Sequence, residues 1–95
     1  MASRRLSGKS SSDFRNAVLA VVASIPPGQT VSYKQVAARA GNPGAARAVG
    51  AIMRTNYDPA VPCHRVVRSD GSLGGYNRGA VAKRARLVAE GVILP

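Results

Sequence analysis

Apolar residues recur at helical spacing near the start of the chain. In DFRNAVLAVVASI (residues 13–25) the apolar positions fall on one face of a helix, and Pro26 and Pro27 end the run. The residues of this face are Phe14, Ala17, Val18, Val21, Val22 and Ile25. A cluster of serines just before the segment supplies N-cap candidates. The pattern predicts an amphipathic helix that is followed by a turn.

Two shorter helical patterns follow, separated by a glycine. Ser32 and Gln35 form a capping-box signature, and Gly41 suits the position after the end of that helix. Asn42 and Pro43 then match the N-cap and the first position of a second helix, predicted to run from about residue 43 to residue 54. Helix, tight turn and helix together predict a helix-turn-helix unit.

The pattern changes after Asn56. VPCHRVV (61–67) combines β-branched residues with a proline before the cysteine, which favours an extended segment or a short strand. Asp70 and Gly71 favour a hairpin turn, and a glycine-rich loop leads into a last helix that Gly91 ends. The expected fold class is mainly α with a small β element, a winged-helix-like helix-turn-helix DNA-binding domain.

Charge narrows the class of partner. Among 95 residues there are 14 Lys and Arg against 4 Asp and Glu, a net charge of +10. Such a charge favours binding to a polyanion, because each neutralised phosphate releases a condensed counterion. A membrane is disfavoured, because no apolar run approaches the roughly 18 residues that cross a bilayer and no helix pairs a bulky apolar face with a Lys-rich one.

The N-terminal residues and the single cysteine indicate the domain bounds and the redox environment. Residues 1–12 lack the apolar core of a secretory signal and are predicted to be a flexible basic tail, which leaves residues 13–95 as one domain. The single cysteine has no internal disulfide partner, which fits a reducing cytoplasm. One Cys and one His are too few for a structural zinc site, so we expect neither a metal nor another cofactor.

The second helix of the helix-turn-helix unit and the segment after it carry the candidate chemistry. That helix is rich in Ala and Gly apart from Arg47, so its backbone can approach another surface closely. Cys63 and His64 are adjacent, but in an extended segment they point to opposite faces, so a bridging water is an alternative to a direct hydrogen bond. Glu90, the only glutamate, is positioned to orient His64 in a relay of the triad type. The alternative is that Cys63 and His64 are ordinary core residues.

The combination of motifs resembles one family. PCHRVV followed by GGY resembles the active-site signature of the O6-alkylguanine-DNA alkyltransferases, which are methylated-DNA–protein-cysteine methyltransferases. SYKQVAARAGNPGAARAVGAIMRTN is similar to the helix-turn-helix of that family, and the likeness runs from about Phe14 to Gly91. The resemblance implies a single-turnover DNA repair transferase that needs no cofactor. Its partner is double-stranded DNA carrying O6-alkylguanine, bound through the minor groove by a monomer, with the damaged base flipped out.

The resemblance also implies roles for individual residues in alkyl transfer. Cys63 is the alkyl acceptor, His64 is the base acting through water, and Glu90 orients His64. Tyr33 donates a proton toward the guanine and presses on the rotated phosphate, and Asn56 braces the turn that carries the cysteine.

Further residues are implied to bind the guanine or the DNA. The guanine amino group is expected to donate to the carbonyls of Cys63 and Val66, and the backbone N–H of Asn77 is expected to face O6. Arg47 is the finger that replaces the flipped base in the stack. The full substrate-binding set is Tyr33, Met53, Cys63, Val66, Tyr76 and Asn77. The full DNA-binding set is Tyr33, Ala45, Arg47, Ala48, Gly50, Ala51 and Arg54.

The chain departs from the family pattern in three places. The N-terminal domain common in the family is expected to be absent, NYDPAVPC looks about one residue short, and Asn77 stands where serine is frequent. The main alternative is an alkyltransferase-like lesion sensor, which has Trp or Ala in place of the cysteine and recruits nucleotide excision repair. A transcription regulator and a cysteine hydrolase are weaker alternatives. The presence of Cys63, His64 and Glu90 together favours the transferase.

Overall fold

Four α-helices and a two-stranded sheet make up residues 11–94, the part of the chain that the computed structural model describes. In chain order the elements are α1 (Ser11–Ala23), β1 (Val31–Ser32), α2 (Tyr33–Arg39), α3 (Ala46–Thr55), a 3₁₀ turn (Cys63–Arg65), β2 (Val66–Val67) and α4 (Ala80–Ala89). This architecture confirms the expected mainly α fold with a small β element. Most of the predicted basic tail lies outside the described residues, and so does part of the serine cluster that supplied the N-cap candidates.

Helix α1 supplies one side of the core, as its apolar periodicity predicts. Val18, Val22 and Ile25 are buried. The helix ends at Ala23, two residues before the predicted end, and the chain tightens there because the N–H groups of Ser24 and Ile25 bond three residues back. Helix α1 packs on α2 and α3, so the three helices enclose one apolar core. No helix of the described residues has the length and apolar character needed to span a membrane.

The helix-turn-helix is present, and its first helix begins and ends as predicted. The Ser32 hydroxyl accepts from the Gln35 N–H at 3.0 Å, and the Gln35 side chain accepts from the Ser32 N–H at 2.9 Å. After Ala40, Gly41 adopts φ +98°. Its N–H bonds to Ala38 and that of Asn42 to Ala37, which closes the helix by a Schellman motif.

The predicted start of the second helix was wrong. Asn42 does not cap α3, and Pro43 is not its first residue. Instead, the Ala45 N–H bonds to the Asn42 carbonyl at 3.0 Å, which makes residues 42–45 a separate turn. Helix α3 starts only at Ala46, with Ala45 as an N-cap that offers no side-chain acceptor. Proline at the first helical position and proline inside a turn satisfy the same φ restriction, and here the turn forms.

The small sheet is parallel and joins distant parts of the chain. Val31 pairs with Val66 and Ser32 with Val67. The predicted turn at Asp70–Gly71 is present: the Gly71 N–H bonds to the Arg68 carbonyl at 3.0 Å, and the Arg68 N–H bonds to the Ser72 carbonyl at 2.9 Å. The chain therefore reverses as in a hairpin, but among the described residues no strand pairing extends beyond this turn. The extended structure predicted for VPCHRVV is confirmed only in part. Val66 and Val67 are extended, but residues 63–65 form a 3₁₀ turn.

Helix α4 packs against that 3₁₀ turn and ends beside it. Gly91 adopts φ +89°, and the N–H groups of Gly91 and Val92 bond to Val88 and Leu87 in a second Schellman motif, which confirms Gly91 as the terminating residue. Glu90 is the C-cap residue of α4. The helix end therefore places the carboxylate of Glu90 next to the turn that contains Cys63.

Candidate active site and nucleic-acid interface

Cys63 is the first residue of the 3₁₀ turn and is largely buried. The turn is closed by the Val66 N–H, which donates to the Cys63 carbonyl, and by the Arg65 N–H, which donates to Pro62 at 2.9 Å. Because the segment is a turn, Cys63 and His64 do not alternate between the two faces of a strand as predicted. The thiol sulfur instead accepts a hydrogen bond from Asn56 Nδ2 at 3.2 Å.

The imidazole of His64 faces the end of α4. Its Nε2 lies 2.8 Å from Glu90 Oε2, so the predicted contact between the only glutamate and this histidine is present. Arg65 holds the same carboxylate from the other side, with Nε at 2.9 Å from Oε1 and Nη2 at 2.6 Å from Oε2. Arg65 Nη1 also donates to the Ile25 carbonyl at 2.7 Å, which ties this network to the end of α1.

The charges of this network are set by burial and by the bidentate arginine. The hydrogen bonds from Arg65, ahead of the contact with His64, lower the pKa of Glu90 to about 2, so the carboxylate is ionised at neutral pH. Burial lowers the pKa of His64, and this effect exceeds the opposing influence of Glu90. His64 is therefore neutral at pH 7. An ionised carboxylate only accepts, so Nε2 carries the proton and Nδ1 has a free lone pair.

A very small cavity lies behind the thiol. It has a volume of about 20 Å³ and is lined by Cys63, His64, Asn77 and Arg86, among others. One water needs about 10–15 Å³ of such space and two to four polar partners. The cavity meets both conditions, so it has room for a single water among its lining residues, which include the thiol and the imidazole.

Tyr33 packs against the glycine-rich loop in front of the thiol. A Cβ on Gly74, whose φ is +74°, would lie 3.0 Å from Tyr33 Cε2 and 3.1 Å from its hydroxyl, so only glycine fits there. The Tyr33 hydroxyl donates to the Gly75 carbonyl at 3.3 Å. Burial is the main cause that raises the pKa of Tyr33, so the phenol stays protonated and can donate.

Lys83 is a fully buried ammonium that the sequence analysis did not identify. Its Nζ donates to the Val66 carbonyl at 2.7 Å and to the Gly75 carbonyl at 3.1 Å, and it lies 5.7 Å from the centre of the Tyr33 ring. Burial lowers its pKa to about 8, while a negative charge on Cys63 acts in the opposite direction. Lys83 lies four residues before the buried Leu87 on the same face of α4, which indicates an inward-facing position but not which groups Lys83 contacts.

A larger cavity of about 670 Å³ opens in front of the thiol and extends along α3. Cys63, Tyr33 and Tyr76 line its inner part, and Arg47 and Arg54 line the part along the helix. Lys34 and Arg68 add two more cations to its wall, and no acidic residue lines it. An anionic ligand with a planar group fits such a site, because the aromatic rings lie within and the cations lie around them.

Most of the predicted binding residues come together at this cavity, but not all. Its walls include Tyr33, Met53, Cys63 and Tyr76 from the substrate set, and Arg47, Gly50 and Arg54 from the DNA set. Ala48 and Ala51 lie on the exposed side of α3, whereas Ala45 packs partly against the core. Val66 is buried with its carbonyl bonded to Lys83, and Asn77 lines the small cavity instead.

Within residues 11–94, no three His, Cys, Asp or Glu side chains are grouped so that they could hold a metal ion. Arg65 is the second residue that sequence reasoning missed. Its position directly after His64 gives no sign that its side chain reaches a glutamate 25 residues away.

The chain is similar to proteins of one family. A family model described as 6-O-methylguanine DNA methyltransferase, DNA binding domain, matches residues 13–92. A methylated-DNA–protein-cysteine methyltransferase of Methanothermobacter thermautotrophicus is 49% identical over 83 residues, which are 86% of this chain and 46% of that protein. The mouse protein of the same name is 60% identical over 67 residues, 68% of this chain and 32% of that protein.

Two solved structures have similar folds. Mycobacterium tuberculosis OGT in complex with DNA has a TM-score of 0.80 at 43% identity, covering 86% of this chain and 51% of OGT. S. pombe Atl1 in complex with damaged DNA containing O6-carboxymethylguanine has a TM-score of 0.80 at 32% identity, covering 88% of this chain and 81% of Atl1. The chain thus spans 32–51% of these three methyltransferases and 81% of Atl1.

Proposed function

The chain belongs to the family of the 6-O-methylguanine DNA methyltransferase DNA-binding domain, and on that premise we propose that it repairs O6-alkylguanine by moving the alkyl group onto Cys63. The observation that carries this proposal is the position of the thiol between two unlike cavities. In front lies a space of about 670 Å³ that opens along α3. Behind lies a polar space of about 20 Å³ shared with His64. A substrate can approach from one side while the proton leaves on the other.

The proton of the thiol leaves through the small cavity. A water there accepts it and passes a proton to the free Nδ1 of His64. The imidazolium that results is stabilised by Glu90, which Arg65 keeps ionised and in place. The neutral state of His64 at pH 7 is what this step requires, because a protonated imidazole cannot accept.

The alkyl group moves in the larger cavity. The Cys63 sulfur attacks the alkyl carbon in line with the C–O6 bond, so an S–C bond forms as the C–O bond breaks. The electron pair of that bond goes to the guanine, which takes a proton from the Tyr33 hydroxyl. The Tyr33 phenolate then takes a proton from solvent and the His64 imidazolium releases one, so the thiol proton is in effect moved to the guanine. Normal guanine and a stable thioether result, and the protein is consumed.

The exposed side of α3 binds the DNA that presents this base. Ala48, Gly50 and Ala51 keep the helix surface smooth, which suits the narrow minor groove. Arg47 is exposed at the mouth of the cavity, where it enters the stack and offsets part of the cost of flipping. One chain supplies every residue named, and a free thiol suits a reducing compartment, so we propose a cytoplasmic monomer.

The test is the intact mass of the protein after incubation with a duplex carrying O6-methylguanine. We expect a gain of one methylene on the peptide that contains Cys63, with no gain on undamaged duplex. The matched control is Cys63→Ser, which should bind the damaged duplex and gain no mass. A mass gain in this variant would remove Cys63 from its proposed role.

The same experiment separates the transferase from the sensor. The similarity to Atl1 extends over most of that protein, so lesion binding without transfer is the second candidate. Selective binding to the damaged duplex with no mass gain in the wild-type protein would assign this function instead.

A further inference from the structure

The side chain of Asn77 fastens the glycine-rich loop to the last turn of α3. Its Nδ2 lies 2.6 Å from the carbonyl oxygen of Asn56 and 3.4 Å from that of Met53. A primary amide nitrogen has two hydrogens, so it can donate to both. The last carbonyls of a helix have no partner further along the helix, and here a residue 21 positions later supplies one.

Asn56 continues this connection to the reactive sulfur. Its backbone carbonyl is held by Asn77, and its own side-chain Nδ2 donates to Cys63 Sγ at 3.2 Å. Asn56 is buried, with 8% of its surface exposed, so no bulk water competes for these bonds. A hydrogen bond from an amide is stronger when the acceptor carries a negative charge, as the sulfur does when it attacks.

Asn77 lies on the side of the thiol away from the larger cavity. Its side chain lines the small cavity behind Cys63, and the residues along the larger cavity do not include it. The adjacent residue Tyr76 lines both cavities. Removing the Asn77 amide therefore changes how the thiol and the pocket wall are held without removing any group from the surface of α3.

We propose that Asn77 is a positioning residue for alkyl transfer, whose side-chain amide holds Asn56 and, through Asn56, the sulfur of Cys63. This inference rests on the proposed function for its rate effect, but the connection to Asn56 is a property of the protein alone. It differs from the expectation that only the backbone N–H of Asn77 matters. A residue that only capped α3 would affect stability and leave the transfer step unchanged.

The test compares Asn77→Asp with the wild-type protein. Aspartate keeps the shape and replaces the two N–H donors by an oxygen that repels the carbonyls. We expect the single-turnover rate at saturating damaged duplex to fall roughly tenfold, the effect of losing one hydrogen bond of ordinary strength. The Kd for the duplex should stay nearly unchanged. Asn77→Ala serves as a second variant that adds no charge, and Asn77→Gln, which restores a donor, should recover part of the rate.

The matched control is Asp70→Ala. Asp70 lies in the same connection between β2 and α4, and its carboxylate accepts from the Ser72 N–H at 2.9 Å and from the Ser72 hydroxyl at 2.7 Å, but it lines neither cavity. Its removal should leave the transfer rate at saturation unchanged. Equal rate losses in the Asp70 and Asn77 variants would show that the connection acts only as a whole, and would overturn the proposal.

A DNA-free measurement keeps this inference separable from the proposed function. The side-chain amide of Asn56 gives its own NMR signal. Its hydrogens should be protected from exchange in the wild-type protein and in Asp70→Ala, and should lose protection in Asn77→Asp and Asn77→Ala at a temperature where all four are folded. Unchanged protection in the Asn77 variants would overturn the connection. Absence of transfer by the wild-type protein would instead refute the proposed function and leave this readout valid.

Discussion

The two sides of Cys63 are built in different ways. The front is an open cavity that one continuous helix, α3, lines along part of its length with exposed cations and small side chains. The back is a closed polar network in which His64 and Arg65 meet Glu90, and Arg65 also bonds to Ile25. The front can admit a large ligand, whereas the back can hold a water and a proton. In the proposed function, binding and chemistry therefore belong to separate regions that meet at one sulfur atom.

The largest effect is expected at the back. His64→Ala removes the proposed base, so the rate of alkyl transfer at saturating DNA should fall roughly 100-fold or more, the usual contribution of such a group. The Kd for the damaged duplex should change little, because His64 does not line the larger cavity. Rapid-quench transfer assays and a binding titration with the Cys63→Ser background measure the two quantities. A parallel loss of rate and affinity would contradict the separation of the two regions.

A smaller effect, on binding rather than on the transfer rate, is expected at the front. Arg47→Ala should reduce the preference for damaged over undamaged duplex roughly tenfold, because the wedge that offsets the cost of unstacking is gone. Arg39→Ala is the matched control, since Arg39 is also an exposed cation but lies outside the cavity. It should weaken both duplexes alike, and less so at high salt. If Arg47→Ala also weakened binding to both duplexes equally, Arg47 would be only a phosphate contact.

The smallest effect is a dependence of stability on acid that belongs to the back alone. The pKa of Glu90 is about 2 in the folded protein against an ordinary 4.5, so the unfolded chain binds its proton first as the pH falls. The stabilisation by Glu90 is complete above about pH 4.5 and is lost as the pH falls toward 2. Glu90→Gln should thus be less stable than the wild type at pH 6, and the difference should narrow by pH 3 in urea unfolding. The difference in unfolding free energy between Arg47→Ala and the wild type should be the same at pH 6 and at pH 3.

The same division decides what the sequence could predict. The features of α2 and α3 depend on neighbours in sequence, and the capping box, Gly41 and the exposed Arg47 were found in that way. The start of α3 was missed because Pro43 suits a turn as well as a helix start. The 3₁₀ turn at Cys63 was missed because packing by α4 overrides the extended preference of the β-branched residues around it.

Contacts at the back join residues far apart in the chain, and only one of them could be predicted. The pairing of His64 with Glu90 was accessible because the chain has a single glutamate. Arg65 and Lys83 were not, since each acts through a partner that is defined only by the folded arrangement: a carboxylate 25 residues away for Arg65, and the carbonyl of Val66 17 residues away for Lys83. The residues next to Arg65 and Lys83 in the sequence do not indicate either of these partners.

The length of α4 has a consequence for tolerance to insertions. Lys83 and Glu90 are seven residues apart, close to two full turns, so both reach the site from one face of the helix. One added residue between them would rotate the later part by about 100° relative to the earlier part. Either the ammonium or the carboxylate would then turn away from the site. The spacing of Lys83 and Glu90 along α4 therefore matters as much as the identity of the two residues.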